Sequence, residues 1–448
     1  MQHCDTLILP HWCVPVEPAG TVLSDHAVAV RDGRIVEVLP TAEAKKKYKP
    51  GVIVDRPHHL LIPGLVNAHT HAAMTLFRGI ADDLPLERWL ADGIWPNEKR
   101  WASAEMVRDG TRHAIAEMLL SGVTCFSDQY FFPEVVASTA AECHMRAIIG
   151  TPVIDFATAW AADASECLAK GAELVHDRYA DDPLIGSCFT PHSTYVVSDA
   201  AFRELRVLAD QLDVQVQIHL HETAHEVEDA VRTTGKRPLD RLRELGFVNS
   251  SLMAVHAVHL TDEEIDELAG AGVAVAHCPR SNLKLASGIA RVSAMRAAGI
   301  TVALGTDGAA SNNVLDMLSE MQTAALLAKT QVGNAAALTA VEALVMATLD
   351  GARALGLDEV TGSIVAGKWA DLACVNLLSL NSQPVYDPVS QLVYTARPEQ
   401  VTDVWVAGRQ LVDHRRLTGI NETDILRRSA EWQQRIAAET GRPDNEPT

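Results

Sequence analysis

The sequence predicts an α/β protein, a (β/α)8 TIM barrel carrying a small β-sandwich domain built from the N- and C-terminal segments. Three observations predict it. Eight short apolar segments alternate with longer amphipathic ones through the middle of the chain, as a parallel sheet with covering helices requires. The stretch before them reads as strands and turns only, and β-texture returns after them. The expected divisions are 1–60 and 370–420 for the two parts of the sandwich, 61–369 for the barrel, and 421–448 for a terminal helix and polar tail.

The first part shows "DTLILP", then "HAVAVRDGRIVEVLP" with Asp32-Gly33 as its hairpin turn, then "GVIVDRP". The barrel strands are "LVNAHTH", "GVTCFSD", "MRAIIGT", "IGSCFTPHS", "VQIHLHE", "LMAVHAVHL", "GVAVAHCP" and "TVALGTDGA". Between them, "SAEMVRDGTRHAIAEMLLSG", "SDAAFRELRVLADQL" and "TDEEIDELAGAG" have helical periodicity and open on a Ser or Thr able to cap the first turn. After the helical "LTAVEALVMATLDGARALGL", the segments "DLACVNL", "QLVYTA" and "VTDVWVAGRQLVDHRR" read as strands, and "ETDILRRSAEWQQRIAAET" as a closing helix.

A chain of 448 residues, 48% apolar, can bury a large core. Its formal net charge of -20 argues against bulk attraction to nucleic acid or an anionic membrane, both polyanions that demand clustered Lys and Arg. A small molecule is the expected partner. The N-terminal stretch lacks a basic region followed by a long apolar run, and no apolar run reaches the roughly 18 to 20 residues that span a bilayer. The eight cysteines form no C-x-x-C pair, which suits a reducing compartment. A cytoplasmic protein without disulfides is expected.

Barrel chemistry sits at the C-terminal ends of the strands. Those ends carry His69 and His71 on the first strand, His192 after the fourth, His219 and Glu222 on the fifth, His256 on the sixth and Asp307 after the eighth. Alternate residues of a strand share a face, so the two imidazoles of "HTH" can project together. Imidazole and carboxylate suit zinc or a similar divalent ion, and three His with one Asp leave room for water. Each residue also has a plainer role open to it. His256 could fill the core, His192 could fix a loop, and Asp307 could serve the Asp-Gly turn it begins. Glu98, in "IWPNEKRW", reads as a surface charge.

One stretch offers a rival chemistry. His221, Glu222 and His225 spell H-E-x-x-H, which in zinc peptidases lies on a single helix. Here Val214, Val216 and Ile218 alternate with polar residues at period two, so the run into His221 is a strand. His219 is therefore the better ligand, with His221 a polar neighbour and His225 on the next helix. The absence of P-C-x-x-C excludes the cytidine-deaminase type of zinc site.

The set "PGLVNAHTH", "HLHE", "VHAVHL" and "GTDGAASNN" resembles the amidohydrolase superfamily. With "MTLFRGIADDLPLERWLADGIWPNEKRW" and "SNLKLASG", the chain is similar to its 5-methylthioadenosine/S-adenosylhomocysteine deaminases. The resemblance implies that His69, His71, His219 and Asp307 hold one divalent metal, usually zinc. A second metal is not expected, because "SCFTPHSTY" has no Lys to bridge it. It further implies Glu222 as proton donor to the purine ring, Asp307 as proton shuttle, and His256 as the group that orients water. Glu98 and His192 would contact ribose, and Ser311 the purine. The family's Arg for the homocysteine carboxylate has no counterpart: Arg146 lies within the third strand and no Arg follows it in "MRAIIGTPVIDFATAWAADA". The resemblance thus implies hydrolytic deamination of methylthioadenosine, adenosylhomocysteine or adenosine. Guanine deaminase, an s-triazine hydrolase and, remotely, an H-E-x-x-H peptidase are the alternatives. Trp89, Trp95 and Trp101 either line an apolar pocket or pack the loop that carries them. Barrel hydrolases commonly pair, so a homodimer is the expected assembly.

Overall fold

The computed structural model describes residues 1–440. Eight parallel strands form one sheet in sequence order: Leu65–Thr70, Val123–Gln129, Arg146–Val153, Ile185–Pro191, Val216–Leu220, Leu252–His256, Ala274–His277 and Val302–Leu304. Six fall inside segments read as strands from the sequence, and the second and third run past theirs by one and two residues, to Gln129 and Val153. The first and last strands meet through side chains and loop backbone rather than a regular ladder. Asn67 accepts from Thr306 N at 2.9 Å and donates to Thr306 Oγ1 at 2.7 Å, while Asp307 N donates to His69 O at 3.0 Å. Gly305 allows this closeness, since a Cβ there would lie 2.9 Å from His69 N. The barrel is thereby nearly closed, and its closing seam runs directly under the residues of chemical interest.

The covering helices start where hydroxyl caps were read. Ser103, Ser198 and Thr261 accept from the backbone N–H of Met106, Ala201 and Glu264, opening helices Ala104–Leu120, Asp199–Leu212 and Asp262–Ala271. One expected strand is a helix instead. The first four residues of "QLVYTA" lie in the helix Pro388–Tyr394, because Asp387 caps both Val389 N and Ser390 N and Pro388 occupies the first turn. That start signal outweighs the β-branched and aromatic content that suggested a strand.

The chain ends join in a nine-stranded mixed sheet. Its spine is the long strand Tyr48–Pro63, which pairs in parallel with Gln2–Cys13 and antiparallel with Leu372–Asn376. The sheet curls until Ile35 N donates to Lys368 O at 2.9 Å and Gly367 N to Ile35 O at 2.8 Å. This encloses a core that includes Ile8, Val28, Ile35, Leu61, Leu372 and Trp405, the form the expected sandwich takes. The Asp32-Gly33 turn joins His26–Arg31 to Arg34–Pro40 as read. The closing helix spans Glu422–Thr440, and the polar tail, 441–448, lies outside the described residues. Among the described residues no helix is long and apolar enough to cross a membrane. All eight cysteines are free.

Arg146 is the rivet between sheet and barrel. It is 2% exposed and donates to both carboxylate oxygens of Asp371, at 2.7 and 3.3 Å; Asp371 also accepts from Thr361 Oγ1 and Ala407 N. A buried cation stripped of its partner costs about 3 to 5 kcal/mol. Asp371→Ala is therefore expected to lower stability by about that much, read as a shift in the urea midpoint. Arg146→Met/Asp371→Leu should recover a large part of the loss; equal loss in both variants would contradict the ion-pair account.

Candidate metal centre and active site

At the C-terminal mouth of the barrel, five side chains face one buried point. His69 and His71 come from the first strand and the residue beyond its end, and their rings stand 4.9 Å apart, nearly perpendicular. His219 is on the fifth strand and His256 ends the sixth. Asp307 follows the eighth by three residues. His256 and Asp307 both have left-handed backbone, with φ of 70° and 60°, a conformation rare for residues with a Cβ and concentrated where a strand must re-aim a side chain.

The outer nitrogens fix the rings. His71 Nδ1 lies 2.5 Å from Gln129 O and His219 Nδ1 lies 2.8 Å from His192 O. A carbonyl can only accept, so both Nδ1 atoms carry the proton and both Nε2 atoms, when the rings are neutral, carry a lone pair. His256 Nδ1 sits 2.8 Å from Asn282 Oδ1, which assigns it the same tautomer. The lone pairs converge. His69 Nε2 and His219 Nε2 are 3.2 Å apart, and Asp307 Oδ1 is 3.1 Å from His71 Nε2 and 3.5 Å from His69 Nε2. Acceptors so close repel unless a cation lies among them.

Burial holds the imidazoles of His69 and His219 neutral, the first down to about 4 and the second well below the usual range. At His71 burial acts the same way, but the Asp307 carboxylate overrides it and lifts the imidazole to about 9. Burial likewise works against ionisation of Asp307, and hydrogen bonds from His69 and His71 prevail to keep it a carboxylate. Neutral imidazoles and a carboxylate aimed inward are the donor set of a zinc site. His69, His219, His256 and Asp307 form one such set, with donor atoms all within 4.8 Å of one another. His71 adjoins this set through its Nε2, 3.1 Å from Asp307 Oδ1. The fourth strand ends in Thr190, Pro191 and His192, without a lysine.

Above this floor opens a cavity of about 550 Å³. Glu222 enters it two residues past the fifth strand. It is 7% exposed, its Oε2 is 3.8 Å from His256 Nε2, and burial raises its carboxyl. Its backbone N–H donates to Glu226 Oε2 at 2.7 Å, which fixes the turn that carries it. His192 also lines the cavity, with its ring 4.7 Å from that of His219. Glu98 is not a surface charge. The helix Trp95–Trp101 turns it into the cavity, 8% exposed, and burial pushes its carboxyl up to about 7 against the effect of the neighbouring Tyr130 hydroxyl. The tryptophans divide: Trp89 and Trp95 line the cavity, whereas Trp101 packs edge-on against Trp432 of the closing helix.

Ser311 sits differently from its expected place beside the purine. Its hydroxyl donates to Asp307 Oδ2 at 2.6 Å, and the residue lies behind the carboxylate rather than on the cavity wall. His221 is fully buried with left-handed backbone, accepts from Leu239 N, and precedes a helix that begins only at Ala224. His225 is exposed on that helix. The H-E-x-x-H residues therefore share no helical face, and the peptidase geometry is absent. Ser281 and Asn282, which touch Asp307 and His256, follow the seventh strand, one of three whose ends carry no expected ligand, so the strand-end rule does not find them.

The model of the amidohydrolase family matches residues 60–411. A protein of Teredinibacter turnerae named 5-methylthioadenosine/S-adenosylhomocysteine deaminase is 48% identical over 95% of this chain and 96% of its own length. The chain belongs to the amidohydrolase family. A second relative of the same name, from Thermodesulfovibrio yellowstonii, is 43% identical over 96% of this chain and 98% of its own. Among solved structures, an adenosine deaminase of Xanthomonas campestris with bound zinc superposes with a TM-score of 0.96 at 51% identity, covering 98% of this chain and 99% of that one. The atrazine chlorohydrolase TrzN of Arthrobacter aurescens, 24% identical with a TM-score of 0.89 over 95% of this chain and 99% of its own, shares the fold. Membership makes this amidohydrolase a hydrolase acting on C–N bonds, and its His/Asp cluster could hold a metal as the zinc-bound relative does.

The two histidines of "HLH" should separate cleanly. His219→Ala is expected to weaken zinc binding by about 100-fold or more, while His221→Ala retains zinc and loses stability instead. Metal analysis after dialysis, alongside thermal melting, reads both; zinc retained by His219→Ala would refute the assignment.

Proposed function

We propose that this amidohydrolase is a zinc-dependent hydrolytic deaminase of adenine nucleosides, acting on methylthioadenosine, adenosylhomocysteine or adenosine to give the inosine-type product and ammonia. One observation carries the reading. A buried carboxyl with raised proton affinity, Glu222, faces the cavity beside His256 and the convergent donor set. That is the group an aminopurine requires to protonate its ring as a nucleophile adds. The extended similarity to deaminases supports the same choice.

His69, His71, His219 and Asp307 would hold the metal, with His256 at its edge, and zinc when bound lowers the pKa of water from about 15.7 towards 7. Asp307 accepts the water's proton as its oxygen bonds to the amino-bearing ring carbon. Glu222 delivers a proton to the adjacent ring nitrogen, so the ring takes the extra bond without accumulating charge. The C–N bond then breaks as the leaving nitrogen receives the proton held by Asp307; ammonia departs, and the hydroxyl on the ring carbon gives up its remaining proton, by way of Asp307, to Glu222, leaving the carbonyl and the protonated ring nitrogen of the product. His256 holds the nucleophilic oxygen on line. Glu98 and His192 would bind the ribose hydroxyls.

Beyond the ribose, Leu86, Trp89, Leu90, Trp95 and Phe156 make the cavity apolar, and Lys99 is the one cationic side chain of Lys or Arg type on its wall. Arg146 is committed to Asp371. These favour a methylthio group over an amino-acid tail.

A screen for ammonia release from methylthioadenosine, adenosylhomocysteine, adenosine and guanine tests the reading. Methylthioadenosine is expected to have the highest kcat/KM, and Glu222→Gln to lower kcat by about 10² to 10⁴-fold with the melting temperature unchanged. Guanine as best substrate would overturn the proposal.

Glu98 accepts hydroxyl protons on both oxygens only as a carboxylate, since protonation turns one of them into a donor, and burial places its titration at about 7 in the free enzyme. Below that pH the acid form grows, so kcat/KM should fall by about tenfold per pH unit, and Glu98→Gln should flatten this acidic limb while lowering the plateau. An unchanged limb in Glu98→Gln would remove Glu98 from ribose binding.

A further inference from the structure

The short helix Pro279–Lys284, directly after the seventh barrel strand, contributes neither a metal donor nor a cavity wall, yet two consecutive buried residues on it touch two different groups of the site. Ser281 Oγ donates to Asp307 Oδ2 at 2.6 Å. Asn282 Oδ1 accepts from His256 Nδ1 at 2.8 Å. The two contacts reach across to the eighth and sixth strands, either side of the strand that precedes the helix. We propose that Ser281 and Asn282 are positioning residues that set the carboxylate of Asp307 and the tautomer of His256; the catalytic part of this inference rests on the deaminase reading above.

The geometry makes the two roles distinct. Asp307 has one oxygen, Oδ1, among the imidazoles and the other, Oδ2, held by two hydroxyls, Ser281 and Ser311, each at 2.6 Å. Two donors on one oxygen stop the carboxylate from rotating and draw negative charge away from the metal side, leaving a single defined oxygen for cation and proton. Ser311 Oγ also lies 3.1 Å from Gly308 O, but its contact with Asp307 is the shorter, and both serines are essentially unexposed.

Asn282 acts on a proton. With Oδ1 facing the ring, Nδ1 of His256 must carry the hydrogen, and Nε2, which lies toward Glu222, keeps its lone pair. The amide makes this one side-chain contact, since its Nδ2 is buried without a hydrogen-bond partner among the described residues. The side chain is therefore held against His256 at the expense of its own second group. Its helix is anchored independently of the site. Arg280 N donates to Glu320 Oε2, Arg280 Nε to Asn312 Oδ1, and Asn312 Nδ2 bridges Glu320 Oε1 and Thr306 O. The same anchor thus grips the segment bearing Asp307, so that helix and carboxylate are registered as one body.

The test uses the full-length zinc holoenzyme and four substitutions that remove or keep single contacts: Ser281→Ala, the double Ser281→Ala/Ser311→Ala, Asn282→Ala and the conservative Asn282→Asp. Three quantities are read: the zinc dissociation constant by chelator competition, the imidazole ¹⁵N signals, and kcat and KM separately for methylthioadenosine. The double variant is expected to bind zinc about 10 to 100-fold more weakly, with Ser281→Ala between it and wild type. Asn282→Ala should lose about 10 to 100-fold in kcat with KM near wild type and alter the His256 nitrogen signals, and Asn282→Asp, which still accepts from Nδ1, should restore the signals. Wild-type zinc affinity in the double variant together with unchanged His256 signals in Asn282→Ala would overturn the proposal and reduce both residues to packing. If wild type binds zinc but releases ammonia from no nucleoside, the deaminase reading fails alone, because zinc affinity and imidazole signals still judge Ser281 and Asn282.

Discussion

The structure depends on a deliberate electrostatic conflict. Backbone carbonyls of Gln129 and His192 hold protons on the outer nitrogens of His71 and His219, which forces their lone pairs inward, and Asp307 adds a carboxylate oxygen to the same point. In water such groups would be screened and solvated. Here His219 and Asp307 are buried and His71 nearly so, so nothing but a cation relieves the repulsion. When no metal is bound a proton shared by His71 and Asp307 serves, which is why that imidazole titrates so high. Metal and proton compete for one place.

That conflict can be assembled only by a closed barrel. The donors lie far apart in the chain, on the first, fifth, sixth and eighth strands, and a cylinder is what brings the eighth beside the first. The closure is built from the site outward: the Asp307 N to His69 O bond is at once the seam and the spacing between two of the metal donors. Gly305 leaves no Cβ to separate the two backbones. The left-handed turns at His256 and Asp307 then redirect side chains that a continuing strand would have pointed elsewhere. Stability of the fold and geometry of the site are, at this seam, one quantity.

Strand positions were legible because burial on both faces makes a barrel strand continuously apolar, and hydroxyl caps punctuate the helices between them. The candidate ligands were chosen by one further rule, that chemistry gathers at strand ends. What stayed hidden has a common cause: burial and partnership are properties of space rather than of the chain. Glu98 sits among charged residues on a short helix and looks solvated until the helix is seen lying across the barrel mouth. Ser311 is close to Asp307 in the sequence, which tells nothing of whether its hydroxyl turns to the cavity or to the carboxylate. "QLVYTA" carries strand-like side chains, but its conformation was decided by Asp387 and Pro388 just before it. Ser281 and Asn282 lie after the seventh strand, where the strand-end rule finds no ligand and so points to nothing.

The charge of the cavity also restricts what can enter. Glu98, Glu222 and Asp307 line it, and Lys99 is the single Lys or Arg among its walls. Burial raises the carboxyls of both Glu98 and Glu222 from their ordinary values, that of Glu98 to about 7. A substrate bearing a carboxylate would meet those groups in a low-dielectric space with one flexible ammonium to compensate, whereas a neutral nucleoside meets them as hydrogen-bond partners alone. Its base can take a proton from Glu222, its sugar hydroxyls can donate to Glu98, and its apolar end can lie against Trp89 and Trp95. The same desolvation that readies Glu222 to give up a proton therefore selects a ligand without charge of its own. On the proposed reading, acid catalysis and substrate choice arise from a single physical cause, the exclusion of water from a pocket whose carboxylates outnumber its cations.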